Sequence, residues 1–243
     1  MIYIQKRHAS PEVAAEIRRV KEDTKWDNID HTNHELVRGA FDQLNKEIIR
    51  KQLLQEQKGL CAYCMRRIRD DALQSVVIEH WRPITEDGDA ALEYENMMAC
   101  CDGGSRVDAD PHILCCDASK GNHSITISPY NKSHMDRIRY DKDGIIRIYP
   151  ESAELTRDIN EVLKLNGEID EKGNVIHDTA TRLLYGRRQV YKHFEDYIKR
   201  LAKQGKAIKP TVQQRIEQIN QADQYVEYAG VWLYFLKRKL KAI

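Results

Sequence analysis

The sequence predicts an α+β protein, mostly helical, with a small metal-stabilised module between helical ends. Three observations carry that expectation. Apolar residues recur at helical spacing before residue 59 and after residue 180. All six cysteines (Cys61, Cys64, Cys100, Cys101, Cys115 and Cys116) fall within 56 consecutive residues. The stretch around them is loop-dense, with two short strand-like runs, "QSVVIEH" and "SITIS".

The elements follow in order. Ser10-Pro11-Glu12 starts a helix, a cap followed by proline at the first helical position, and Val13, Ile17 and Val20 form its apolar stripe. After the polar break "KWDNIDHTNHE", Thr32 or Asn33 caps a second helix running to about Leu54, with Val37, Phe41, Leu44 and Ile48 on one face; Gly59 ends it. "RIRYDKDGIIRIYP" reads as a hairpin around a two-residue Asp143-Gly144 turn, and "DINEVLKLN" as a short helix. Two longer helices close the chain. One runs from Thr181 to Lys203 with Leu184, Tyr191, Phe194, Ile198 and Leu201 as its stripe; Gly205 to Pro210 breaks it. The other runs from Thr211 to about Lys241 with Val212, Ile216, Ile219, Val226 and Leu233. The expected organisation is thus a helical region at 1–59, the cysteine-rich module at 60–130, and a hairpin with helices at 131–243.

Of the 243 residues, 41% are hydrophobic and 32% charged, which suits a water-soluble chain with a real core. No apolar run reaches 18 residues, so no membrane span is expected. The start, "MIYIQKRHASPEV", lacks the apolar stretch of a secretion signal, and a cytoplasmic location is the expectation. The net charge of +1 hides an asymmetry: residues 187–243 hold 13 lysines and arginines against five acids. Such a stretch, Lys237, Arg238 and Lys239 included, is either a phosphate-contacting surface or a set of solvated helix faces.

Clustered cysteines in a reducing compartment read as metal ligands rather than disulfides. "CAYC" lets Cys61 and Cys64 reach one tetrahedral ion from a tight turn. The doublets Cys100-Cys101 and Cys115-Cys116 each offer one more sulfur, because neighbouring residues do not easily share one ion. Four cysteines then hold a structural zinc ion. An iron–sulfur cluster or a redox Cys-x-x-Cys with unrelated buried thiols are the competing readings.

Read together, "CAYC", "IEHWRPI", "YENMMACC" and "CDASKGN" resemble the HNH endonuclease family. Its zinc-bearing members run Cys-x-x-Cys, an acid-His pair, an asparagine with a cysteine five residues on, and a last cysteine knuckle. Cys61 and Cys64 match the first knuckle, Glu79-His80 the acid-His pair, Asn96 the asparagine, Cys101 the cysteine after it, and Cys116 with Lys120 the last knuckle. The resemblance thereby selects Cys101 and Cys116 as zinc ligands. Two features depart from the pattern: 14 residues separate Cys101 from Cys116, and Asp117 stands where the family carries His or Asn, with Asn122 and His123 just beyond. With "GLCAYCMRRI" and "INEVLKLN" added, the chain looks most similar to the PtuB-like HNH subunits of Septu and retron-associated antiphage systems, over about Leu60 to Asn166.

That resemblance implies a ββα-metal fold, a catalytic Mg2+ or Mn2+ apart from the zinc, and an ABC/SMC-type (PtuA-like) ATPase partner. The chemistry suits the residues. Phosphodiester hydrolysis needs a base for the attacking water, and a histidine such as His80 titrates near the working pH. Glu79 with Asp117 or Asn122 would hold the divalent ion, Asn96 would hydrogen-bond the backbone of the loop carrying His80, and Lys120 would hold a phosphate or stand in solvent. Trp81 reads as core rather than a base-stacking surface. His112, His123 and His134 carry no assigned role. DNA is the expected substrate; RNA cleavage, or a zinc module that binds nucleic acid or the ATPase without cutting, are the rivals.

Overall fold

The computed structural model describes residues 1–68, 76–105, 113–170, 172 and 174–242. The first two residues of the "QSVVIEH" run, and His112, lie outside them. The fold is α+β: helices dominate, and the three sheets among the described residues are small antiparallel pairs. No described helix is long and apolar enough to cross a membrane.

Helix α1 spans Pro11–Asp23; the Ser10 hydroxyl accepts from the Val13 N–H at 3.3 Å, and Val13 and Val20 are buried. The helix expected from Asn33 to Leu54 is two helices, α2 (His34–Asp42) and α3 (Lys46–Glu56). The break has a local cause. The Asn45 side chain accepts from the Glu47 N–H, its own N–H donates to Glu16, and the Gln43 carbonyl accepts from Arg19. An asparagine that bonds the following turn offers the backbone an alternative to the helix, and α1 supplies partners for the groups this frees. At the end of α3, Gly59 (φ 78°) donates to the Leu54 carbonyl at 2.9 Å.

Strand β1 (Val77–His80) pairs antiparallel with β2 (Met97–Cys100), with Glu79 opposite Met98 and His80 opposite Met97. Helix α4 is a single turn and a half, Cys116–Lys120. "SITIS" is not a strand. Its Thr126 and Ile127 N–H groups are taken by the carboxylate of buried Asp158, at 2.6 and 2.8 Å, instead of by a neighbouring strand.

A short helix α5 (Lys132–Met135) leads into the expected hairpin, β3 (Ile138–Tyr140) with β4 (Ile146–Ile148). Its loop is five residues rather than two. Asp141 accepts from the Asp143 and Ile145 N–H groups and so stabilises a wider turn. Gly144 is required there: its φ is 83°, and a Cβ would meet the Leu184 carbonyl at 2.7 Å. Helix α6 (Ala153–Arg157) continues into a π turn over Asp158–Val162, and a small hairpin, β5 (Glu168–Ile169) with β6 (Val175–His177), follows without sequence warning.

Helix α7 spans Leu183–Lys203. The last expected helix is again two, α8 (Ile208–Gln221) and α9 (Ala229–Lys241). Tertiary bonds override helical propensity between them: Tyr225 N–H donates to Lys58 O and Tyr228 N–H to Met65 O, both at 3.0 Å. Val226, expected on the apolar stripe, is 42% exposed as a result. One apolar core runs from Val13 through β2 to Leu236, joining the N-terminal helices, the cysteine-rich stretch and the C-terminal helices.

Candidate metal centre and a buried histidine beside it

The turn after α3 carries Cys61 and Cys64. Cys61 N–H donates to Arg66 O, Met65 N–H to Cys61 O, and Arg66 N–H points at the Cys64 sulfur at 3.5 Å. Buried Gln57 stitches this turn to β2: its amide donates to Leu60 O and Ala99 O and accepts from Ala99 N–H, all within 2.8 Å. Ala62 N–H adds a fourth bond to Ala99 O.

Cys101 leaves β2 directly beneath that turn. Cys116 opens α4 with φ 56°, a conformation costly for a non-glycine residue, and its N–H is held by Leu163 O at 3.0 Å. These placements bring the sulfurs of Cys61, Cys64, Cys101 and Cys116 within 4.8 Å of one another, all buried. Cys64 and Cys101 are 3.7 Å apart, and Cys61 and Cys116 4.0 Å. Four sulfurs bound tetrahedrally at about 2.3 Å from one ion lie about 3.8 Å apart. The four cysteines therefore fit a metal ion such as zinc. Of the doublets, the group takes Cys101 and Cys116; the Cys115 sulfur faces Thr181 Oγ1 at 3.3 Å, and that of Cys100, in β2, reaches only Cys61 among the four.

A second polar cluster is buried beside the first. The Glu79 carboxylate accepts from Tyr63 OH at 3.1 Å and from the Lys120 ammonium at 2.7 Å. Lys120 is 1% exposed and also donates to the carbonyl of His80 at 3.0 Å. The expectation that Lys120 is solvated or holds a phosphate is corrected here: its charge is turned inward, onto the acid and the strand end. Burial, and a hydrogen bond with half-buried Asp117, push the Glu79 carboxyl up to about 8, against the opposing pull of Lys120.

The strand alternation turns the His80 ring to another face. It packs edge-on against Phe41, centroids 4.6 Å apart, and its Nε2 lies 2.9 Å from the Ala91 carbonyl. A carbonyl only accepts, so Nε2 carries the proton. Burial lowers the His80 imidazole to about 4, with Arg38 and Lys120 adding to the effect. The ring is thus neutral near pH 7, and among the described residues no group donates to Nδ1, which can accept. Asp117 acts on both neighbours, raising Glu79 and opposing the fall at His80.

Asn96 is buried and clamps the loop after His80. Its side chain accepts from Arg82 N–H at 2.8 Å and donates to Arg82 O and Ala90 O, while its carbonyl accepts from Trp81 N–H. Trp81 is half-buried, its indole N–H bonded to Ile127 O. The structure thus gathers Glu79, His80, Asn96, Asp117 and Lys120. It leaves Asn122 and His123 exposed on the turn past α4, outside the cluster. Lys237 and Arg238 are exposed on α9 and Lys239 is half-buried.

Sequence reasoning missed Tyr63 and Gln57. Tyr63 lies inside "CAYC", and a phenol two residues from one ligand and one from the other was the available signal. Nothing in the sequence singles out Gln57. No family model matches this chain, and no curated protein matches it.

Proposed function

We propose that this chain is a metal-dependent HNH-type endonuclease that hydrolyses phosphodiester bonds in nucleic acid, DNA before RNA. We further propose that it is the PtuB-like nuclease subunit of an antiphage system, acting in the cytoplasm beside an ABC/SMC-type ATPase. The observation that carries the enzymatic reading is His80: a neutral imidazole, its tautomer fixed by Ala91, with Nδ1 free to take a proton from water. It sits at the end of β1 in an antiparallel pair, with α4 packed against the pair through Lys120 and Glu79. That arrangement is what a ββα-metal unit requires.

The roles follow. His80 is the general base. Asn96 fixes the backbone of residues 81–82 and so the direction of the ring. Glu79 and Asp117 are the pair of carboxylates that suits Mg2+ or Mn2+, an ion that commonly takes one or two carboxylates and keeps its waters; Asp117 raises the Glu79 carboxyl, so the site favours added positive charge. Such an ion, when bound, would supply positive charge for the leaving oxygen. Asn122 is too exposed to join that pair without a movement of its turn.

One observation favours a second reading, a zinc-stabilised module that binds nucleic acid or the ATPase without cutting. His80 is 6% exposed and Lys120 already neutralises the acids, so this site is complete without substrate or metal. The two readings part in one assay. Purified protein with Mg2+ or Mn2+ is given supercoiled plasmid and, separately, RNA, alone and with the ATPase and ATP. Metal-dependent cleavage supports the nuclease. Binding without cleavage under every condition supports the module.

A further inference from the structure

A groove of about 770 Å³ opens between the start of the chain, α5 and β3 on one side and α9 on the other. Lys132 and Arg139 reach it from the first wall; Lys237, Arg238 and Lys241 reach it from the second. These cations come from elements about 100 residues apart in sequence and converge on one concavity. A merely solvated helix face needs no such convergence.

Its charge is almost uncompensated. The one acidic side chain in the lining is Asp136, and it is taken by Lys132 at 2.5 Å. Arg139 is held by the carbonyls of Asp136 and Ile138, which orient it without neutralising it. Among the described residues, Arg139, Lys237, Arg238 and Lys241 have no acidic partner within ion-pair distance. Tyrosines line the groove beside these cations: Tyr3, 41% exposed, and half-buried Tyr225 and Tyr234. Lys239 points elsewhere; it does not line the groove.

We propose that this groove binds single-stranded nucleic acid, with Arg139, Lys237, Arg238 and Lys241 on phosphates and Tyr3 stacking on a base. Cations that track a backbone, with aromatic faces between them, are the physical recipe for single strands. A concave channel also receives a thin chain along its floor, whereas a duplex would touch only its rim. The proposal rests on the nucleic-acid reading above but not on cleavage.

The test measures fluorescence anisotropy of a labelled single-stranded DNA 30-mer against KCl concentration, with no divalent cation added, so that hydrolysis plays no part. The unmutated protein is compared with Lys237→Glu/Arg238→Glu/Lys241→Glu and with Tyr3→Ala, each checked for melting temperature and zinc content. Each phosphate contact contributes about 0.7 to the salt slope for single strands, so the triple variant should flatten it by about 2 units. Tyr3→Ala should weaken binding about tenfold with the slope kept. An unchanged slope and affinity in the folded triple variant would overturn the proposal. So would displacement of the oligonucleotide by poly-glutamate at equal charge concentration, which would make the groove a seat for an acidic protein. Binding with these properties in a protein that never cleaves would sink the nuclease and keep the groove.

Discussion

Two polar clusters lie buried side by side on one scaffold, and α4 serves both: Cys116 at its start faces the sulfurs, and Lys120 at its end faces the carboxylates. They meet the cost of buried charge in opposite ways. The four sulfurs are spaced for a metal ion. The Glu79 carboxylate has Lys120 and Tyr63 as partners and is satisfied by the chain itself. On the reading proposed here, the first cluster would take an ion in order to fold, and the second only in order to act.

The largest expected effect is on the sulfur side. Structural zinc contributes about 10–16 kcal/mol of apparent binding energy, more than the whole stability of most domains. Cys101→Ser, or excess chelator, should release the ion and abolish the cooperative thermal transition; elemental analysis and calorimetry read both. A chelator-treated protein that melts unchanged would remove the contrast between the clusters.

Next comes Lys120→Met. Removing one partner of a buried charge group costs about 3–5 kcal/mol. Urea denaturation should show a smaller loss at pH 5 than at pH 8, because protonation of Glu79 substitutes for the missing cation. Zinc content should not change.

A finer test uses pH. The Glu79 carboxyl is raised from about 4.5 to about 8, so the folded chain holds a proton that the unfolded chain releases; this stability is full below pH 4.5 and is lost as pH rises through 8. The His80 imidazole is lowered from 6.5 to about 4, so its contribution runs the other way and is lost as pH falls from 6.5 toward 4. The two slopes oppose one another between pH 4.5 and 6.5 and leave a fall between 6.5 and 8. Glu79→Gln should flatten that fall, by up to about 1.4 kcal/mol per pH unit, and expose a rise with pH below 6.5. An identical pH profile in the variant would remove Glu79 from the account. The smallest effects belong to Cys100→Ser and Cys115→Ser, expected to keep the ion and lose about 1 kcal/mol or less. Damage equal to that of Cys101→Ser would reassign the ligands.

What the sequence made legible divides along the same line. The sulfur cluster was readable because metal ligation fixes residue type and spacing together; "CAYC" and two doublets leave few arrangements. The helices were readable where the apolar period is regular, with a cap at Ser10 and without a side-chain cap at the residue before α7. The broken helices were missed for different reasons: the α2/α3 break starts from a local Asn45 cap that Glu16 then supports, and the α8/α9 break is made by the distant Lys58 and Met65 carbonyls. Lys120 was missed in the same way. Nothing in "CDASKGN" says that the ammonium finds Glu79 and the His80 carbonyl in the core. The downward shift of His80 was also hidden, since it comes from burial, against Phe41 among others, and outweighs the bond to the Ala91 carbonyl that opposes it.

The central claim is that His80 is a base held ready by its surroundings and not part of the framework. Plasmid nicking with Mn2+, for the unmutated protein and His80→Ala at equal zinc content and melting temperature, tests it most directly. The account predicts a fall of about 10²–10⁴-fold in the variant, and for the unmutated protein a rate that no longer rises through pH 6.5 because the imidazole is already neutral there. Nicking by His80→Ala at the unmutated rate, or a variant that loses zinc and unfolds, would contradict it.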